Sequence, residues 1–184
     1  QYEVPWQSKP LVKRRNRIPI TERLMPPTGE VDVPMNEDEV RAAAELFKKR
    51  GINSIIVGFL FSFLNNDHEM RAKEIIASVH PDAYIYASSE VVNVIREYER
   101  FSSTAMNAYI GPKTARYLSS LETRLKKEGI NSQVRIMQSN GGISTIENSS
   151  DRPIGLLLSG PAGGVIGARS TGEQSQISNI ITID

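Results

Sequence analysis

The sequence has no cysteine, which removes disulfides, thiol nucleophiles and thiolate-ligated zinc from consideration. Histidine occurs only twice, at His68 and His80, in helix-flanking positions. That leaves no defensible Ser–His–Asp arrangement. An excess of one charge is missing too: 22 basic and 21 acidic residues leave a formal net charge of +1. Nothing in that balance points to a nucleic-acid groove or a membrane surface. No apolar run approaches the roughly 20 residues that span a bilayer. There is no initial Met and no basic-then-apolar leader, and Gln1–Trp6 reads like the interior of a longer protein. A reducing cytoplasm suits these absences.

What is present is ordinary for a globular protein: 184 residues, 39% hydrophobic and 23% charged. That length supports one medium domain or two small ones. Pro5, Pro10, Pro19, Pro26, Pro27 and Pro34 crowd into residues 1–35. Between them lie short β-prone pieces, Arg17–Thr21 and Glu30–Val33, with a turn at Pro27–Gly29. An extended arm or β-hairpin is expected here. The basic cluster Lys13, Arg14, Arg15, Arg17 and Arg23 reads as a solvated connection.

From Asn36 the pattern turns helical. Asn36 is a good N-cap with Glu39 three residues on, and Val40, Ala43, Ala44 and Phe47 recur at helical spacing before Gly51. The apolar run within Ile52–Phe63 predicts a strand buried on both faces. Helix to Val79, strand Ala83–Ala87 and a helical start at Ser88–Glu90 continue an α/β rhythm. Two helices are expected at Tyr98–Tyr109 and Lys113–Glu128, split by Gly111-Pro112. Strands are expected at Gln133–Gln138, Ile154–Leu158 and Asn179–Asp184.

The densest chemical signal is Ser159–Ala168, S-G-P-A-G-G-V-I-G-A. Pro161 is tolerated at a helix start, and Gly160, Gly163, Gly164 and Gly167 strip side chains from the helix surface. Spacing alone fits a tight packing face or the close approach of a phosphate. It is neither a Walker loop nor a dinucleotide fingerprint. Ser139, Asn140, Gly141 and Gly142 follow a strand, where a ligand-facing loop or a plain turn both fit. His68 and Glu69 read better as helix-start residues than as metal ligands. Glu97, Glu99 and Arg100 read better as a salt-bridged helix junction than as an acid–base set.

Ser159–Ala168, Met137–Gly142 and the terminal Ile181–Asp184 together resemble the hydantoinase A/5-oxoprolinase/acetone carboxylase family. Val12–Arg23, Phe59–Glu69, Glu97–Arg100 and Asn107–Tyr109 match it in the same order. Asn66-Asp67-His68-Glu69 departs from the family's N-P-x-H-E in lacking the proline, so only His68 and Glu69 carry over. The resemblance implies an α/β chain forming part of an actin-like (ribonuclease H-like) ATPase fold, a mixed sheet with crossover helices. It implies an arm at 1–35, an α/β part of the N-terminal region at 36–97, and the start of the hydantoinase A domain at 98–184. It also implies ATP and Mg²⁺ as cofactors, and a hydantoinase B-like subunit as partner in a hetero-oligomer.

The activity implied is ATP-driven hydrolysis of a cyclic amide such as hydantoin, with a ketone carboxylase subunit or a non-catalytic structural piece as alternatives. By the same resemblance, Ser159, Gly160, Gly163, Gly164 and Asp184 fall in the nucleotide-phosphate region, Asp184 meeting the nucleotide's Mg²⁺. Ser139, Asn140, Gly141 and Gly142 form the candidate ligand loop. The 184 residues alone are expected neither to bind ATP tightly nor to turn over.

Overall fold

The structure, a computed structural model, describes residues 10–183. Trp6, the first residues of the arm and Asp184 lie outside the described residues. The chain forms two compact units, Gln1–Tyr109 and Ile110–Asp184.

In the first unit the arm becomes an antiparallel hairpin of β1 (Arg23–Met25) and β2 (Glu30–Val33), turning through Gly29 at φ 76°. The first strand thus falls after the expected Arg17–Thr21. Asn36 caps α1 (Glu37–Lys49), its side-chain oxygen accepting from the N–H groups of Asp38 and Glu39. At the other end Gly51 (φ 66°) donates to Lys48 O, and Ile52 N to Phe47 O, closing the helix with a left-handed glycine cap. Glu39 does not reach back to the cap. Its carboxylate instead accepts from Thr21 N at 2.6 Å and Thr21 Oγ1 at 3.1 Å, fastening the arm to α1.

A crossover helix α2 (Asp67–Val79) joins the parallel strands β3 (Ser54–Val57) and β4 (Tyr84–Ala87), paired from Ser54↔Tyr84 to Val57↔Ala87. Along β3, Ile55 and Val57 are buried while Ser54 and Ile56 are half-buried, so burial alternates rather than covering both faces. The core gathers Val40 and Ala44 of α1, Ile55 and Val57 of β3, and Ala72, Ile75 and Ile76 of α2. Arg71 of α2 holds Glu37 of α1 at 2.7 and 3.0 Å. Hydrogen bonding and charge from Arg71 keep the Glu37 carboxyl below its ordinary range.

A short helix α3 (Ser88–Val91) leads to α4 (Glu97–Lys127), 31 residues without a break at Pro112. The two expected helices are one. Proline removes the N–H that would reach the carbonyl four residues back, here that of Ala108. Ser54 Oγ donates to that carbonyl at 2.6 Å, so it is satisfied from outside the helix.

The second unit pairs β5 (Arg135–Met137) with β6 (Ile143–Thr145), followed by α5 (Ile146–Asp151), a 3₁₀ turn at Pro153–Leu156 and α6 (Ser159–Gln174). The expected strand Ile154–Leu158 is therefore a turn. A short apolar run does not by itself distinguish the two, and Pro153 starts the turn in preference to a strand. Residues 179–183 form no strand either, and none pairs with them among the described residues. Ile177 N donates to Gly172 O, and Ile180 packs onto Gly172 so closely that no Cβ fits there.

Gly58, just after β3, leads to the first test. A Cβ there would lie 2.5 Å from Cε1 of Phe101. Gly58→Val is expected to cost about 1–3 kcal/mol by overpacking, and a denaturation midpoint equal to that of the parent would contradict this contact.

Candidate functional site

The second unit brings the two glycine-containing candidate segments together. Met137 ends β5, and the chain reverses through Gln138–Gly142, with Gln138 N donating to Gly142 O and Gly141 N to Gln138 O. Asn140 Oδ1 accepts from Gly142 N at 2.8 Å, an Asx-type closure, and Gly141 takes φ 82°. Ser139 N then donates to Gly155 O at 2.8 Å, tying the turn to the 3₁₀ segment.

Helix α6 lies against this turn at two places. A Cβ on Gly163 would meet Met137 Cγ at 3.6 Å, and one on Gly141 would meet Ile166 Cδ1 at 2.8 Å. Gly160, Gly164 and Gly167, spaced i, i+4, i+7, have nothing within 4 Å of the place a Cβ would take. The helix begins after Leu158, which is left-handed at φ 61°, and no side chain caps it. Ser159 is half-buried at its first position. Of these four glycines, which share one side of the helix, Gly163 meets the hairpin and the other three meet open space. Asp184 lies outside the described residues.

In the first unit, the carboxyl ends of β3 and β4 are where open α/β sheets take ligands. Here the protein's own charges fill that position. Glu69 of α2 is fully buried, and its carboxylate accepts four bonds. They come from Phe59 N (2.9 Å), Ser88 Oγ (2.6 Å), Ser89 N (2.8 Å) and Ser89 Oγ (2.7 Å). Arg100 of α4 is equally buried and donates to Ser88 Oγ (3.0 Å), Val94 O (2.8 Å) and Phe59 O (2.6 Å). Its guanidinium also lies near the rings of Phe63 and Phe101, 5.7 and 5.2 Å from their centroids. The Ser88 hydroxyl links the two charges, accepting from Arg100 and donating to Glu69.

Sequence reasoning placed Glu69 at a helix start and Arg100 at a helix junction, and both positions are correct. It missed their burial, and it read Ser88 as the start of a helix and not as the link between the two charges. The adjacent Glu97 and Glu99 take no part, Glu99 lying 3.6 Å from exposed Arg96. His68 Nδ1 meets Glu22 Oε2 at 2.9 Å and so ties α2 to the arm. His80 shares Nε2 with Ile52 O at 3.2 Å. Among the described residues no three metal-capable side chains gather.

Comparison with known proteins follows this geometry along the chain. The family model described as Hydantoinase/oxoprolinase matches residues 100–184, and that described as Hydantoinase/oxoprolinase N-terminal region matches residues 1–80. An uncharacterized protein of Methanocaldococcus jannaschii is 39% identical over 86% of this chain and 23% of its own length. The caprolactamase subunit alpha of Pseudomonas jessenii is 31% identical over 95% of this chain and 25% of its own. The crystal structure of the ATP-dependent caprolactamase from that organism superimposes with a TM-score of 0.86 at 30% identity, covering 100% of this chain and 27% of that one. A nucleotide-free acetone carboxylase gives 0.75 at 26% identity, covering 85% and 22%. The chain spans about a quarter of the length of the curated relatives it matches.

Breaking the buried network has a stated cost. Arg100→Ala removes the buried charge that balances Glu69 and leaves the Phe59 carbonyl with the Ser62 hydroxyl, at 3.1 Å, in place of two donors, and is expected to destabilise the first unit by roughly 3–5 kcal/mol. Equilibrium denaturation giving a loss below about 1 kcal/mol, the scale of an exposed pair, would refute the assignment.

Proposed function

The chain belongs to the hydantoinase/oxoprolinase family, and from that premise we propose that the intact protein is the ATP-dependent A-type subunit of a cyclic amide hydrolase. One observation carries the reading: the whole chain superimposes on an ATP-dependent caprolactamase at a TM-score of 0.86. A lactam, a hydantoin and 5-oxoproline share a ring amide, so the substrate class is the cyclic amide. The reading includes an actin-like ATPase fold for the complete polypeptide, a B-like second subunit and a cytoplasmic setting. Among the described residues no helix is long and apolar enough to cross a membrane. The matched caprolactamase chain is itself named a subunit.

ATP supplies the driving chemistry. Amide resonance makes the ring carbonyl a poor electrophile. Phosphoryl transfer to its oxygen would break that resonance and release ADP; water would add to the carbon, the ring C–N bond would break with its nitrogen taking a proton, and a second water would displace phosphate from the acyl phosphate, leaving the ring-opened acid. Mg²⁺ accompanies the triphosphate and offsets its charge.

The residues present suit a supporting role toward the nucleotide. The open face of Gly160 and Gly164 has room for close approach by another group. Gly163 is engaged with Met137, and Ser139–Gly142 is locked in its own turn. Under this reading Ser159, Gly160 and Gly164 border the phosphates, Gly163 anchors α6, and Asp184 meets the metal.

A ketone carboxylase is the second reading, favoured by the acetone carboxylase superposition at 0.75. The two separate in one assay. The full-length protein with its partner subunit is incubated with ATP and either hydantoin, 5-oxoproline, caprolactam, or acetone with bicarbonate. ADP release stimulated by a cyclic amide, without bicarbonate, is expected. Stimulation by acetone and bicarbonate alone would overturn the hydrolase reading in favour of the carboxylase. No ATP use with any of them would leave a structural role.

A further inference from the structure

The arm covers a cavity of about 80 Å³ in the first unit, partly open to solvent. Ile18 and Ile20 of the arm, Ala43, Ala44 and Phe47 of α1, and Ala72 of α2 contribute to its walls. Every residue lining it is apolar or glycine, and the alanines leave the space that longer side chains would fill. An apolar cavity of this kind stays dry and takes apolar guests. Its volume is about half the roughly 150 Å³ that admits benzene, which suits a branched tail of about four carbons.

One end of the cavity is marked by charge. Arg17, next to Ile18, turns back so that its Nε and Nη2 donate to Val12 O at 3.1 and 2.9 Å. Arg50, at the C-cap of α1 just beyond Phe47, donates from Nη1 to Arg15 O at 2.9 Å and to Asn16 Oδ1 at 3.3 Å. These two arginines hold the 3₁₀ turn Arg14–Asn16 at the end of α1. The same turn leaves Lys13, Arg14 and Arg15 exposed, and among the described residues none of the three meets a carboxylate. A cluster that reads in sequence as a solvated connection is thus a held cationic turn beside a cavity wall. With a net charge of only +1, the chain offers no broad field for a polyanion, so the turn suits one small anion.

We propose that the cavity and this turn form a site for a small carboxylate with a short branched apolar tail. The tail enters between Ile18, Ile20 and Ala43, and the carboxylate meets Arg14 or Arg15, whose guanidinium groups match it in shape and charge. Burial of the tail supplies most of the affinity. The exposed ion pair adds selectivity for the anion over an uncharged analogue. The site uses none of the residues assigned to the nucleotide and does not depend on which substrate the protein takes.

The full-length protein, labelled at isoleucine methyls, is titrated with isovalerate, isoamyl alcohol and acetate. Isovalerate is expected to shift Ile18 and Ile20 saturably at millimolar concentration. The alcohol, with the same tail and no charge, should bind the same methyls about fivefold more weakly, the scale of one exposed ion pair. Acetate should leave them unmoved. Arg14→Gln with Arg15→Gln, both at exposed positions, should bring the acid down to the affinity of the alcohol and leave the alcohol unchanged. Ala43→Leu fills the cavity and should weaken both by roughly tenfold or more. Equal affinity for acid and alcohol would overturn the charged half of the site, and a response to acetate equal to that of isovalerate would overturn the apolar half. The absence of a saturable shift at Ile18 or Ile20 with isovalerate would overturn the site altogether.

Discussion

Two opposite charges buried without touching set the shape of the first unit. Glu69 and Arg100 are not paired directly. They are joined through the Ser88 hydroxyl, and they grip the Phe59 peptide from its two ends, Glu69 at the N–H and Arg100 at the carbonyl. Burying ions is costly unless every remaining valence is met. Glu69 meets that condition with four donors, two of them backbone N–H or hydroxyl groups of Ser89. The arrangement therefore dictates where the chain goes after β3, where α3 starts and how α4 enters. The same grip fills the carboxyl edge of β3 and β4, so the ligand position that an α/β sheet ordinarily offers is given over to structure. Whatever the intact protein binds is accordingly sought elsewhere.

Local chemistry was readable in advance wherever it was completed within a few residues. Asn36 and Gly51 bound α1 as their types require, because a cap needs only its own turn. Glu39 shows where this stops. Its spacing fitted a capping box, yet Thr21 offers it two donors at once, from a segment eighteen residues away. Glu69 and Arg100 follow the same rule: their positions on helices were legible, but their burial depends on Ser88 and Phe59 arriving from other elements. Pro112 was read as a break because the compensating hydroxyl lies more than fifty residues upstream in β3. The segment Ile154–Leu158 misled for a different reason, since apolar residues in so short a run carry no period.

Family membership and local geometry carry different parts of the functional reading. The match runs along nearly the whole chain, through residues 1–80 and 100–184. It supports the chemistry of a cyclic amide through relatives four times as long. The geometry cannot repeat that inference, but it constrains how the glycine-rich segment takes part. The turn of this segment is closed by Asn140 and tied by Ser139 to Gly155 with no ligand taking part.

The glycines of α6 can be assigned more narrowly than their spacing allowed. Packing and close approach predict different neighbours, and along one side of α6 the glycines meet both. Gly163 faces Met137, where a Cβ would make an ordinary contact at 3.6 Å, and Ile166 reaches Gly141 on the hairpin. These contacts explain why α6 docks on the β5–β6 turn, and they need no nucleotide. Gly160, Gly164 and Gly167 have no such explanation, because a Cβ at any of them would meet nothing in the described residues. Glycine in a helix interior costs roughly 0.5–1 kcal/mol relative to alanine. Three of them on one open face therefore carry a cost that nothing among the described contacts offsets. A group that came close to bare backbone would offset it, as the proposed phosphate neighbourhood does.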